Sequence, residues 1–172
     1  VKIWDCARLE RNVTNRARRT FCGAYGRVAG LAVCEGTHSV ACGYDTGSVH
    51  VFRVDYCANT AQPYRSLSLL RQCEGFGDGL VGLENCGRGR PALLAYGLAS
   101  NVVGGLDLRC RDAGAFCFAG EARHGLLEAF VVSPDRLWLL TGTSRGYFVV
   151  WDLRFGLPVM TWRQPAKRRV RR

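Results

Sequence analysis

The feature that most constrains this chain is a stretch that occurs twice. Residues 125–151 read GLLEAFVVSPDRLWLLTGTSRGYFVVW. An apolar run ends at Ser133-Pro134-Asp135. A second, from Leu137 to Leu140, meets a turn held between Gly142 and Gly146. A third runs from Tyr147 to Trp151. Short apolar runs punctuated by Gly and Pro are strands joined by tight turns. Residues 26–52 repeat the layout without a gap, with Gly26, Gly43, Gly47 and Phe52 at the offsets of Gly125, Gly142, Gly146 and Trp151. Four landmarks kept in register over this length mark an internal repeat.

A weaker copy lies between them, in runs at 80–84, 92–97 and 102–108, and aligns once one extra residue is allowed within 86–91. Its end, Leu106-Asp107-Leu108-Arg109, parallels Trp151-Asp152-Leu153-Arg154. The anchors Trp4, Phe52, Leu106 and Trp151 are 48, 54 and 45 residues apart. Four-stranded propeller blades with a Trp-Asp ending run about 40–45 residues, longer with insertions. Outer strands are expected near 66–70, 116–119 and 158–162. One such sheet cannot bury both its faces, whereas sheets stacked side by side around an axis bury each other.

The expected fold is therefore all-β, a partial propeller of about three to four four-stranded blades. The divisions are 1–25 (end of a preceding blade and linker), 26–78, 79–124 and 125–163 (three blades), and 164–172 (start of a next blade or connector). The chain opens inside a strand, Val1-Lys2-Ile3-Trp4-Asp5, and ends in a basic run, so it reads as a piece of a longer protein. The structural anchors are Trp4, Asp5, Gly43, Gly47, Phe52, Leu106, Asp107, Gly142, Gly146, Trp151 and Asp152. Each Trp should fill the gap between blades, and the Asp after it can accept hydrogen bonds from turn backbone. Within the first unit, Val28, Leu31 and Val33 are the apolar members of one alternating run. Val49, Val51 and Phe52 are those of another.

Composition narrows the function classes. Apolar residues make up 48% and charged residues 22%, which are globular values. No apolar run reaches the roughly 18 residues of a membrane-spanning helix. The net charge of +10 comes from two segments, an Arg-rich one between Arg8 and Arg19 and the tail from Arg163 to Arg172; the remainder is neutral. Any polyanion binding must rest on those two segments. They lack the interleaved aromatics of a single-strand binder, so the bland reading is polar connectors. Nine cysteines contain no Cys-x-x-Cys pair, and several lie in strand-like runs where Cys acts as a small apolar residue. They read as reduced thiols of an intracellular protein. His38, His50 and His124 have no metal spacing, so neither a metal nor another cofactor is expected.

Two motifs imitate chemistry. Gly142-Thr143-Ser144-Arg145-Gly146 matches the Gly-x-Ser-x-Gly nucleophile elbow, which needs a helix after it; here a strand follows. Gly77-Asp78-Gly79-Leu80-Val81-Gly82 matches a dinucleotide fingerprint but leads into Leu-Glu-Asn-Cys-Gly-Arg-Gly-Arg-Pro, which cannot form the required helix. The only lysines are Lys2 and Lys167, so a kinase phosphate loop lacks its strand lysine. Hairpin glycines account for both matches, and no catalytic residue is expected.

The Trp-Asp endings resemble those of a WD-repeat propeller. More specifically, Val1-Lys2-Ile3-Trp4-Asp5-Cys6, Gly26-Arg27-Val28, Trp151-Asp152-Leu153-Arg154-Phe155-x-Leu157-Pro158 and Arg169-x-Arg171-Arg172 resemble one family over the whole chain. It is the propeller of the protein-kinase-like regulatory subunit of the class III phosphatidylinositol 3-kinase complex, the vacuolar-protein-sorting scaffold. The resemblance implies an N-terminal kinase-like domain and helical repeats elsewhere in the parent. The propeller would be a non-catalytic interaction module, a ring of seven blades of which this chain supplies about half. Its implied partners are the class III phosphatidylinositol 3-kinase catalytic subunit, beclin-type coiled-coil subunits and the remaining blades. The implied setting is cytoplasmic, peripheral on late endosome and autophagosome membranes through that complex. The sequence departs from a strong WD pattern: no Gly-His dipeptide precedes any unit, and Arg53 stands where Asp107 and Asp152 stand in the others.

Binding is expected at loop tips, where side chains are not spent on packing. The turns Tyr44-Asp45-Thr46, Leu98-Ala99-Ser100 and Thr143-Ser144-Arg145 should lie on one rim as candidate partner contacts. A WD-repeat scaffold of another pathway and a nucleic-acid module using the basic segments are the competing readings; a Ser144 hydrolase is the remote one.

Overall fold

The computed structural model describes residues 2–3, 19–20, 26–34, 38–54, 63–69, 79–87, 92–110 and 114–164. A short antiparallel pair joins β1 (Lys2–Ile3) to β2 (Arg19–Thr20). Three four-stranded sheets follow, each an antiparallel meander in chain order. The first holds β3 (Val28–Cys34), β4 (Ser39–Tyr44), β5 (Ser48–Arg53) and β6 (Arg65–Ser68). The second holds β7 (Leu80–Asn85), β8 (Leu93–Leu98), β9 (Val102–Asp107) and β10 (Gly114–Ala119). A 3-10 turn, Ala122–His124, leads to the third, with β11 (Leu127–Val132), β12 (Trp138–Thr143), β13 (Tyr147–Asp152) and β14 (Leu157–Arg163).

The repeat seen in the sequence is a repeat of local geometry. Each first strand carries a bulge at the same place, between Val28 and Gly30, Leu80 and Gly82, and Leu127 and Ala129. Each turn between second and third strands closes by one backbone bond: Gly47 N to Tyr44 O (3.0 Å), Asn101 N to Leu98 O (3.1 Å) and Gly146 N to Thr143 O (2.9 Å). The closing residue has φ of +72°, +68° and +76° in turn. Glycine meets that demand twice; asparagine, one of the few other residues that tolerates the left-handed region, meets it in the second sheet. First strands end alike as well. Cys34 Sγ reaches Ser39 O (3.6 Å), Cys86 Sγ reaches Leu93 O (3.7 Å), and Ser133 Oγ donates to Trp138 O (3.0 Å). Two of the cysteines thus act as weak donors at a position that serine fills in the third sheet.

The sheets stack face to face. Ala32, Ala41, Val49 and Val51 of the first meet Leu80, Leu83, Leu94 and Tyr96 of the second. Ala95, Val103 and Phe118 of the second meet Leu127, Leu139, Val149 and Trp151 of the third. Each large apolar side chain buried this way contributes about 1.5–3 kcal/mol. β3 departs from the expected pattern. Leu31 and Val33 are each 53% exposed and Val28 41%, while Ala32 and Cys34 are buried. The cause is close approach: a Cβ on Gly30 would sit 2.5 Å from the backbone nitrogen of Leu83. Only the small residues of β3 fit against β7, so its large ones lie on the other face.

Polar side chains of β7 tie the stack together. Glu84 Oε2 accepts from Val132 N in the third sheet (2.8 Å), and Asn85 Nδ2 donates to Val33 O in the first (2.9 Å). Neighbouring strand residues point to opposite faces, so two consecutive residues reach opposite neighbours. Arg136, at φ +58°, donates to Asn85 Oδ1 and to Gly87 O (3.0 Å). Arg65 donates to Leu108 O and Cys110 O, joining the outer part of the first sheet to the second.

Candidate functional site

Of the anchors at the ends of the third strands, Leu106 and Trp151 sit where described sheets meet, whereas Phe52 packs with Cys42 and Tyr44 of its own sheet. Trp151, 8% exposed, stacks on Phe118 of the preceding sheet with ring centroids 5.4 Å apart and planes 7° from parallel. Its Nε1 donates to Thr141 Oγ1 (3.2 Å), and that hydroxyl donates to Val149 O (3.3 Å). Phe52 and Leu106 hold the matching positions, both buried. Asp152 accepts from Arg154 N (2.8 Å), Nε (3.1 Å) and Nη2 (2.6 Å). Asp107 accepts from Arg109 N (3.0 Å) and Nε (2.9 Å) in the same manner. Arg154 holds the Asp152 carboxyl below its ordinary range. Arg53, in the first sheet's equivalent place, lies over the Tyr64 ring at 4.9 Å. Gly43 and Gly142 pair with Val49 and Phe148 at the ends of the second strands, next to the turns closed by Gly47 and Gly146. Trp4 and Asp5 lie outside the described residues.

The three candidate contact turns occupy one structural position. Asp45 Oδ1 accepts from Arg27 N (3.0 Å), while its own N donates to Arg27 O (2.9 Å). Ser144 copies this with Leu126: Oγ accepts from Leu126 N (3.0 Å), and N donates to Leu126 O (2.8 Å). Ala99 has only its backbone to offer, donating to Gly79 O (3.0 Å) and accepting from Leu127 N (3.0 Å). Tyr44, Leu98 and Thr143 are buried, so they support the turns and are not available to a partner. Burial narrows the candidate surface to Asp45, Thr46, Ser100 and Arg145, which are exposed, with Ala99 and Ser144 half-buried.

The same geometry answers the two catalytic look-alikes. Ser144 clamps the entry of β11 and is followed by β13, not by a helix. Gly79 leads directly into β7, again a strand. Among the described residues no group of His, Cys, Asp and Glu is placed to hold a metal ion. Burial raises the Cys42 thiol to about 11 and Cys86 to about 12, far from the thiolate form.

The rim also holds what spacing could not reveal. His124 is 2% exposed and stacks on Tyr147 at 4.4 Å. Neither of its ring nitrogens has a hydrogen-bond partner, and the Glu121 carboxylate stands 3.9 Å from Nε2. Burial pushes its pKa down. Asn101 Nδ2 is likewise buried without a partner. His50, by contrast, is hydrogen-bonded through Nδ1 to Ser66 Oγ (2.8 Å). The sequence signal for Asn101 was its register with Gly47 and Gly146; for His124 there was none beyond its place before a blade.

No family model matches the chain. It is 40% identical over 167 residues to the probable serine/threonine-protein kinase vps15 of Dictyostelium discoideum, covering 95% of this chain and 8% of the relative. It is 26% identical over 171 residues to the serine/threonine-protein kinase VPS15 of Arabidopsis thaliana, covering 96% of this chain and 11% of that protein. The chain thus spans about a tenth of the length of these curated relatives. Among solved structures it is similar to the β-propeller domain of Cps50 (Swd1) from Myceliophteria thermophila, with TM-score 0.67 and 15% identity over 88% of this chain and 46% of that one. A chain of the mitotic checkpoint complex matches with TM-score 0.64 and 17% identity over 82% of this chain and 38% of that one. At such identities the structural likeness establishes the fold alone.

Proposed function

Because the chain is a WD-repeat propeller segment related to a short part of the Vps15 kinases, we propose that it is the non-catalytic scaffold module of a class III phosphatidylinositol 3-kinase regulatory subunit. In this reading it helps hold the lipid kinase catalytic subunit and beclin-type coiled-coil subunits in one assembly. That assembly makes phosphatidylinositol 3-phosphate for autophagy and endosomal or vacuolar sorting. The module works in the cytoplasm and meets late endosome and autophagosome membranes through its partners. The observation that carries the reading is the 40% identity to vps15 across nearly the whole chain. The fold agrees with it: side chains at the sheet junctions are committed to packing, and exposed turn residues are left for contact.

The test is affinity purification of the full-length parent against the same parent lacking this segment. The deletion should lose the lipid kinase or its coiled-coil partners while the intact parent retains them. If the deletion keeps them, the scaffold role does not reside here. If the intact parent never recovers them, a WD-repeat scaffold of another pathway takes the place of this reading.

A further inference from the structure

Buried polar groups normally find partners, so the places where they do not are informative. Among the described residues, the buried side-chain nitrogens and oxygens without a partner are Asn101 Nδ2 and the two ring nitrogens of His124. Both residues belong to one junction. Asn101 closes the turn between β8 and β9, and its carbonyl accepts from Gly120 N (2.8 Å). Gly120 opens the short connection that ends with His124 and Gly125. Asn101 Nδ2 lies so close to Gly120 that a Cβ there would be 2.1 Å away. The connection therefore runs over Asn101 at one end and carries His124 at the other.

The surrounding charges have a sign. Arg123 and Arg145 are exposed at this rim, and Arg145 Nη1 donates to the backbone O of Arg123 (3.1 Å), which sets the Arg145 guanidinium against the connection that carries Arg123 and His124. The amide of Asn101 is a donor, and an imidazole supplies at least one more. Donors and guanidinium groups together call for an acceptor that carries negative charge. The chain already holds a partial substitute. Glu121 pairs with Arg123 Nε at 2.6 Å and stands 3.9 Å from His124, too far to bond.

We propose that this junction between the second and third sheets is a docking point for an acidic side chain of a partner protein, received by Arg123, Arg145, Asn101 and His124. The incoming carboxylate displaces Glu121 from Arg123, and a shift of the short connection between Gly120 and Gly125 brings the two buried groups within reach. Glu121 is then a built-in competitor of the partner. This inference rests on the scaffold reading above, because it names the chemistry by which one rim contact is made.

The experiment measures assembly of the full-length parent with purified lipid kinase catalytic subunit and coiled-coil subunits, comparing wild type with Arg145→Glu, Asn101→Gly, Glu121→Gln and the segment deletion. Asn101→Gly keeps the positive φ while removing the amide, and Glu121→Gln alters an exposed side chain, so neither threatens the fold. Arg145→Glu should weaken assembly about tenfold or more, as expected for reversing a charge at a contact. Asn101→Gly should weaken it severalfold, and Glu121→Gln should strengthen it. A role confined to stability would leave affinity unchanged in all three and move only melting temperature. If the deletion abolishes assembly while the three point variants bind like wild type, this docking point is overturned and the scaffold reading stands. If the deletion binds like wild type, both fall.

Discussion

The tight approach of β3 to β7 gives a sharp test of how the sheets stack. A Cβ added to Gly30 would lie 2.5 Å from Leu83 N, 2.9 Å from Leu83 Cβ and 3.0 Å from Gly82 C. The first and last are backbone atoms and cannot rotate away. The first contact is about 1 Å short of van der Waals separation, so relief requires the two inner strands to part. Parting them loosens the packing of Ala32 and Cys34 on the second sheet and stretches the bond from Asn85 to Val33 O. Overpacking of this kind costs about 1–3 kcal/mol. Gly30→Ala in the full-length propeller should therefore lower its melting temperature by roughly 5 °C. Amide exchange should accelerate in β3 and β7 before it does in β12 and β13. Gly79→Ala is the control, since among the described residues nothing stands within 4 Å of its added Cβ, and it should change stability by less than about 0.5 kcal/mol. Equal, small effects at both positions would refute the close approach and with it the account of why β3 turns its large side chains outward.

Three further outcomes follow from charge and burial. Arg154 depresses the Asp152 pKa, so the pair stabilises the fold above the ordinary carboxyl value of 3.8 and that contribution is lost as pH falls through the lower folded value. Asp152→Asn should flatten the acid limb of a melting-temperature profile; an unchanged limb would remove the pair from the explanation. Burial raises the Glu84 pKa, and the sign reverses: its contribution is full below the ordinary 4.5 and is lost as pH rises through the folded value. Glu84→Gln should abolish that decline on the neutral side, and a persistent decline would assign it to another group. Alkylation of the native protein at pH 8 should modify exposed Cys110 well before Cys42 or Cys86, whose burial keeps them protonated; simultaneous labelling by mass spectrometry would contradict the packing of β4 and of the end of β7.

Much of the architecture was legible because the same demand recurs along the chain. Gly47 and Gly146 announce a positive φ, and the apolar runs around them announce strands, so the strands of these sheets are readable from the sequence alone. The second copy was harder to align because Asn101 meets the same backbone demand with a different residue, and because two extra residues, not the one expected within 86–91, enter between β7 and β8. The facing of β3 was not legible. Alternation identifies two faces but not which one meets a neighbour, and here strand separation decides, through Gly30. Bulges such as that between Val28 and Gly30 add to the difficulty by shifting which residues share a face. The candidate turns were legible as positions but not as surfaces: Tyr44, Leu98 and Thr143 look like turn residues and are packed instead. Cross-sheet bonds such as Glu84 to Val132 and Asn85 to Val33 have no spacing code, since they join residues 48 and 52 positions apart.

The opposite reach of Glu84 and Asn85 bears on how such a protein can change over time. Repeats are readily gained or lost by duplication, provided each unit makes the same contacts on either side. The second blade does not, because its inner strand holds one neighbour by a carboxylate and the other by an amide, and Ala32-Val33 and Val131-Val132 occupy the matching positions in the other two blades. Transplanted elsewhere in the ring, that blade would bring a half-buried carboxylate to a seam with no assured donor. The three blades are thus alike in outline and individual in their joints, so their order is part of the information the chain carries.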